Sequence, residues 1–329
     1  MRFFLICITG LCWLATAAGQ NKLVERKQHL TLMGTAFEVC ALHQNPEVAD
    51  EAIRSAILEI SRIEELISSY RINSQTSQVN RMAGVEPVRV DPELYGLIER
   101  SLKLSRLTDG AFDISYAVTD NLWDFKSGHG KVPDRARADS LKALIDYHNI
   151  ILNPQDTSIY LKKKGMRIGF GAIGKGYAAN RAKKIMQSFG IDNGYVDASG
   201  DILFWGSNNG KSWKVGLASP ENRTEALGWL EVNDMAVVTS GDYVYHIKTD
   251  TANLSHIIDP KSGWPVEKMK SVTIICPDAE LADGLATSVS VLGPETGLML
   301  INKLRGVECI LITGDNKMLT SDHAYIHRE

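Results

Sequence analysis

Four glycines fall within nine residues of this chain, in Gly169-Phe-Gly-Ala-Ile-Gly-Lys-Gly-Tyr177. With so many positions lacking a Cβ, neither a strand nor a helix is favoured, and the backbone is free to turn sharply. An apolar, strand-like stretch leads in and the amphipathic run Ala178 to Phe189 leads out, so the pattern predicts strand, turn and helix in succession. Such a turn suits an anion. Its glycines let the main chain come close, the free N–H groups of the first helical turn point at the ligand, and Lys175 adds a full positive charge. Glycine turns also serve as plain connections, so the reading depends on the segments around it.

The composition is otherwise that of a globular protein. At 329 residues, 44% hydrophobic and 23% charged, the chain can bury one large core or two moderate ones. A formal charge of −3, with Lys and Arg scattered and no basic block, gives no nucleic-acid footprint. Residues 1–19 differ: Met1-Arg2 precedes an uncharged apolar run from Phe3 to Ala18, with small residues at Ala15, Ala17 and Ala18. This reads as an export signal, leaving a mature domain at 20–329 and a periplasmic location. The alternative is an uncleaved N-terminus that keeps the protein at the inner membrane. Beyond it lie Cys40, Cys276 and Cys309, widely spaced in apolar surroundings, which read as buried hydrophobes.

Helix signals open at Asn45-Pro46, with Ala52, Ile53, Ala56, Ile57, Ile60, Ile63 and Ile67 on one stripe, and again at Asp91-Pro92. The second ends at Asp109-Gly110, a third follows the glycine turn and stops at Gly190, and a fourth runs from about Ala279 to Leu292. Between them lie short β-branched or aromatic segments at 30–42, 150–152, 158–161, 195–204, 213–217, 229–232, 236–239, 243–247, 272–276 and 309–313. That order, without regular alternation, predicts an α+β protein of mainly antiparallel sheets flanked by helices. The most loop-like stretch is 125–137.

Five further segments carry chemistry. Asp283 and Thr287 stand four apart on the last predicted helix, so one face offers a carboxylate and a hydroxyl, an incomplete shell of the sort Mg²⁺ takes beside a nucleotide. An acidic residue stabilising the helix dipole, with Thr287 bonded back to a carbonyl, is the plainer reading. His256 precedes the turn Asp259-Pro-Lys-Ser-Gly263 and suits a proton acceptor at a cleft edge, or a structural histidine. Ser240-Gly-Asp242-Tyr243 and Thr108-Asp-Gly-Ala-Phe-Asp113 are glycine corners with hydroxyl and carboxylate groups. Ser74, Ser77 and Asn80, after Tyr70, form a polar stripe.

Taken in order, these segments resemble the ApbE family of FAD:protein FMN transferases across about residues 30 to 315. Met33-Gly-Thr35, Tyr70 with its polar stripe, Thr108 to Asp113 with Trp123, Gly171 to Gly176, Thr239 to Tyr243, Ser255 to Pro260 and Ala282 to Thr287 each look like a family block. The resemblance implies an ApbE-like fold of two lobes with FAD in the cleft between them. It sets Met33, Tyr70, Ala111, Phe112, Asp113, Lys175 and Ile258 near the dinucleotide, and Mg²⁺ on the Ala172 carbonyl, Asp283 and Thr287. Two departures stand out: the family usually has an aspartate before the turn, where this chain has Gly169, and its usual Gly-Gly-Asp is here Ser199-Gly200-Asp201, with Asp197 where an asparagine is common.

The reaction so implied moves FMN from FAD to a threonine or serine hydroxyl of an acceptor flavoprotein, such as a membrane redox-pump subunit, and releases AMP. His256 is the expected proton acceptor, with Asp242 orienting it or sharing the task. Two other readings remain at this point. One is a Mg²⁺-dependent FAD pyrophosphatase giving FMN and AMP; the other is a non-catalytic exported FAD-binding protein.

Overall fold

The computed structural model describes residues 22–120, 122–123, 132–220, 225–241, 246–248, 253–266 and 269–328. The expected export signal lies outside them. Seven α-helices are present among the described residues: α1 (Pro46–Ile67), α2 (Gln75–Arg81), α3 (Pro92–Leu107), α4 (Arg135–Lys142), α5 (Gly174–Ser188), α6 (Ala279–Leu292) and α7 (Pro294–Ile301). The first strands are β1 (Val24–Leu32), β2 (Thr35–His43), β3 (Val88–Arg89), β4 (Ile150–Asn153), β5 (Ser158–Leu161), β6 (Asn193–Ala198) and β7 (Asp201–Trp205). Then follow β8 (Trp213–Ala218), β9 (Ala226–Val232), β10 (Ala236–Gly241), β11 (His246–Lys248), β12 (Asn253–Ser255), β13 (Ile258–Asp259), β14 (Trp264–Pro265), β15 (Met269–Cys276), β16 (Glu308–Thr313) and β17 (Met318–Thr320).

Eight of these strands make one antiparallel sheet in the order β1-β2-β6-β7-β10-β15-β16-β17. Two hairpins in it turn on two residues of positive φ: Met33 (51°) and Gly34 (76°) between β1 and β2, Ser199 (60°) and Gly200 (97°) between β6 and β7. The second hairpin splits the segment 195–204, which the sequence reads as one strand. Helices α1, α5 and α6 cover one face of the sheet, burying Ile53, Ile60, Ala178, Ala182, Leu285 and Val289 against Val39, Val196 and Ile274. On the other face the β8–β9 hairpin packs Trp213, Leu217 and Leu230 against Leu42, Phe204 and Ile310. The arrangement is the α+β, mainly antiparallel architecture that the spacing predicts.

Caps explain where the helices begin. Asn45 accepts the Glu47 N–H at 2.8 Å and Asp91 accepts that of Glu93 at 2.7 Å, each followed by proline in the first turn. Ser74 caps α2 by accepting from Ser77 N–H at 2.9 Å, so the polar stripe after Tyr70 faces the protein. Part of the segment expected to be most loop-like is helical, as α4 begins at Arg135. The chain entering the glycine turn pairs with no strand among the described residues, which corrects the strand expected there. The Asn80 side chain serves in place of a strand partner, donating to Ile168 O at 3.0 Å and accepting from its N–H at 2.7 Å.

Candidate functional site

Helix α5 starts at Gly174 inside the glycine turn, and its first donors are already engaged. Gly174 N–H bonds to Phe170 O at 2.7 Å, while Gly176 N–H donates to Asp283 Oδ2 at 3.1 Å. The Lys175 N–H also bonds the Asp283 carboxylate. The anion at this helix terminus is therefore a side chain of α6, which corrects the expectation of free N–H groups awaiting a phosphate. Close crossing makes this possible: a Cβ on Gly176 would lie 2.0 Å from Ala279 O, so only glycine lets α6 approach.

Beside this terminus sits a buried charge cluster. Asp283 is 3% exposed and Asp201, at the start of β7, is 4% exposed. Asp201 pairs through Oδ2 with Lys175 Nζ and accepts the Thr239 N–H on Oδ1 at 3.1 Å. Burial pushes the Asp283 carboxyl up to about 6; Asp201 adds to the rise, while Lys175 and the two N–H groups oppose it. Burial works against the Lys175 ammonium too, but Asp201 and Asp283 outweigh it and hold its pKa above the usual lysine range. Two buried carboxylates thus share one ammonium, and an added cation would neutralise the remaining charge.

The oxygens nearby suit such an ion. Thr287 follows Asp283 by one helical turn and is half-buried, as is Ala172 in the turn. Among the described residues no three His, Cys, Asp or Glu side chains converge. The donor set is a carboxylate, a hydroxyl and main-chain oxygen, which fits a hard divalent cation that completes its shell with phosphate or water.

The other expected residues divide. Met33 reaches the turn, its Cε lying 3.4 Å from where a Gly174 Cβ would stand, and its N–H donates to Glu64 Oε2 at 3.0 Å. Ala111 and Phe112 are buried, and Phe112 packs behind α6 at Gly284. Asp113 spends its carboxylate inside the fold, taking the Ser115 N–H at 2.8 Å and hydroxyl at 2.6 Å on Oδ1 and the Tyr147 N–H at 2.8 Å on Oδ2. Ile258 belongs to a separate apolar cluster with Trp123 and Leu254. His256 stands half-buried between β12 and β13, before a turn closed by Gly263 N–H to Asp259 O at 2.8 Å. Asp242 lies outside the described residues.

A sequence model of the ApbE family matches residues 33–311. The chain belongs to the ApbE family. An FAD:protein FMN transferase of Klebsiella pneumoniae (strain 342) is 30% identical over 83% of this chain and 85% of its own length. One from Treponema pallidum is 29% identical over 96% and 92%. Among solved structures, an ApbE protein from Thermotoga maritima superimposes with a TM-score of 0.84 at 27% identity, covering 91% of this chain and 97% of its own. The apo flavinyl transferase ApbE of Pseudomonas stutzeri shares the fold, with a TM-score of 0.81 at 24% identity over 92% and 96%.

Two groups of this ApbE chain have roles that its sequence does not show. Asp201, in the Ser199-Gly200-Asp201 block set against the family's usual Gly-Gly-Asp, is the partner of Lys175, a pairing made only by the fold. Asp120 hydrogen-bonds the Tyr70 hydroxyl and lies near Arg167; burial lifts its carboxyl to about 6 against the pull of both neighbours. Nothing in its local sequence signals that role.

Proposed function

We propose that this chain is an FAD:protein FMN transferase that requires a divalent cation, Mg²⁺ by its donor set, and acts on an acceptor flavoprotein. The observation that carries the proposal is the buried Asp283–Lys175–Asp201 cluster at the head of α5, in a chain whose relatives bear that activity over most of its length. Asp283, Thr287 and the Ala172 carbonyl would hold the cation, which when bound neutralises charge on the diphosphate of FAD. The Lys175 ammonium, kept protonated by its two carboxylates, stabilises the charge that gathers on the same phosphates.

In the proposed step a threonine or serine oxygen of the acceptor attacks the FMN-side phosphorus. The new P–O bond forms as the bond to the bridging oxygen breaks, and AMP leaves carrying that oxygen. The hydroxyl proton passes to His256, with Asp242 as its partner in the task. Little covalent work falls to the protein; holding the reactants in line supplies much of the barrier reduction. We further propose that residues 1–19 direct export, so that transfer takes place in the periplasm, with a membrane redox-pump subunit as the kind of acceptor served. Mass measurement of the protein recovered from cells tests the cleavage.

Incubation with FAD, Mg²⁺ and a threonine-bearing acceptor tests the activity. The proposal expects AMP release in step with fluorescent labelling of the acceptor. FMN and AMP without labelling would assign a pyrophosphatase, and FAD retained intact a carrier.

A further inference from the structure

The turn at 169–172 is backed by a polar group that the reaction above does not use. Gly169 opens this turn, and the fold leaves no room for a side chain there. A Cβ there would lie 2.9 Å from the Ala117 Cβ and 3.5 Å from Ser69 Oγ. Two residues on, the Tyr116 hydroxyl occupies the side-chain space of Gly171, 2.5 Å from where its Cβ would stand, and takes the Gly171 N–H. The 3₁₀ helix Ile114–Thr119 has thus filled the volume that side chains of the turn would claim.

The same 3₁₀ helix delivers a carboxylate. Asp120, its C-terminal cap, hydrogen-bonds the hydroxyl of Tyr70, which lies in the segment after α1. Arg167, on the segment entering the turn, lies near enough for its charge to favour the ionised Asp120 carboxylate, and donates through Nη2 to Ser69 O at 3.2 Å. The buried Arg167 Nε has no acceptor among the described residues. Tyr70, by contrast, is 76% exposed. An exposed ring with a tethered hydroxyl is restrained before any ligand arrives, and an aromatic face so held pays less entropy on stacking.

We propose that Asp120 is a positioning residue that fixes Tyr70, beside the glycine turn, as a stacking platform for the flavin ring. The inference rests on the reading of FAD as substrate. Asp120 acts through the Tyr70 hydroxyl, and the Arg167 charge favours its ionised form against burial. Tyr70, Tyr116 and Arg167 are the titratable or charged groups that face it.

A double-mutant cycle on FAD affinity separates this role from a merely structural one. Tyr70→Phe, Asp120→Ala and the double variant are titrated with FAD and Mg²⁺ by flavin fluorescence, with melting temperatures in parallel. Each single change should weaken FAD binding by about tenfold, the worth of one hydrogen bond to a charged group. The double variant should be no weaker than either single one, and in turnover the loss should fall on KM for FAD. Additive losses, or Asp120→Ala binding FAD as tightly as the unaltered chain, overturn the proposal. Should Asp120→Ala fail to fold, Asp120→Asn with Tyr70→Phe closes the same cycle. An unaltered chain that takes up no FAD refutes the parent reading instead, and this one with it.

Discussion

Gly176→Ala tests whether the crossing of α5 and α6 sets up the charge cluster. The new methyl would meet Ala279 O at 2.0 Å, its carbonyl carbon at 2.5 Å and Glu280 N at 2.9 Å, all main-chain atoms with no rotamer to yield. Reaching ordinary contact at 3.4 Å requires the helices to part by about 1.4 Å. That displacement exceeds what the 3.1 Å bond from Gly176 to Asp283 can absorb. Overpacking costs about 1–3 kcal/mol, and loss of a charge-assisted bond about 1.5–3 kcal/mol. A loss of about 3 kcal/mol and about 5 °C in melting temperature is expected for a chain of this size. Gly96→Ala in α3 is the matched control, because its methyl meets only the flexible Arg100 Nη1 at 3.3 Å. It should gain up to about 1 kcal/mol from helix propensity. Calorimetry on both, with Mg²⁺-dependent AMP release on the first, makes the comparison. Gly176→Ala melting and turning over like the unaltered protein would refute the close-crossing argument.

Lys175→Met should destabilise by about 3 kcal/mol in urea unfolding, since it strands Asp201 as a buried charge; adding Asp201→Asn should restore stability but not transfer. Asp283→Asn keeps an oxygen for the α5 N–H groups, so it should fold while Mg²⁺ no longer raises its melting temperature or supports AMP release. His256→Ala should lower kcat by about 10²–10⁴-fold with little change in FAD affinity, and an unaltered rate removes it from the step. Glu59 is held at about 2 by hydrogen bonds from Arg62 and Arg181, against burial, while its unfolded value is 4.5. Its folded pKa is depressed, so its contribution is complete above pH 4.5 and fades as pH falls toward 2. Urea midpoints of Glu59→Gln and the unaltered chain should therefore converge across that window.

The parts of the fold that could be read in advance are those written locally. Asn45-Pro46 and Asp91-Pro92 mark helix starts because cap and proline act on the next few residues alone. Strand existence followed from β-branched runs, but pairing did not, since β2 bonds to β6 and β7 to β10 through no local signal. At the site, Lys175 and Asp283 meet at the head of α5, and Met33 packs against the same turn. The donors of α5 illustrate the converse: the sequence displays a helix start, but only the approach of α6 determines that Asp283 reaches it first. Asp113 looked open in a glycine corner, yet the Tyr147 N–H, 34 residues on, claims its second oxygen.

The pairing of β2 with β6 joins Leu42 to Asn193 across about 150 residues. The sheet therefore cannot zip together hairpin by hairpin, and the chain must close that long loop before the pairing repays the entropy lost. Refolding from denaturant belongs with slow, non-local topologies, on the order of seconds. Lys175, Asp201 and Asp283 stand on either side of such closures, so a half-folded chain has no preassembled grip on a ligand. Binding competence should appear late, together with the last cooperative step.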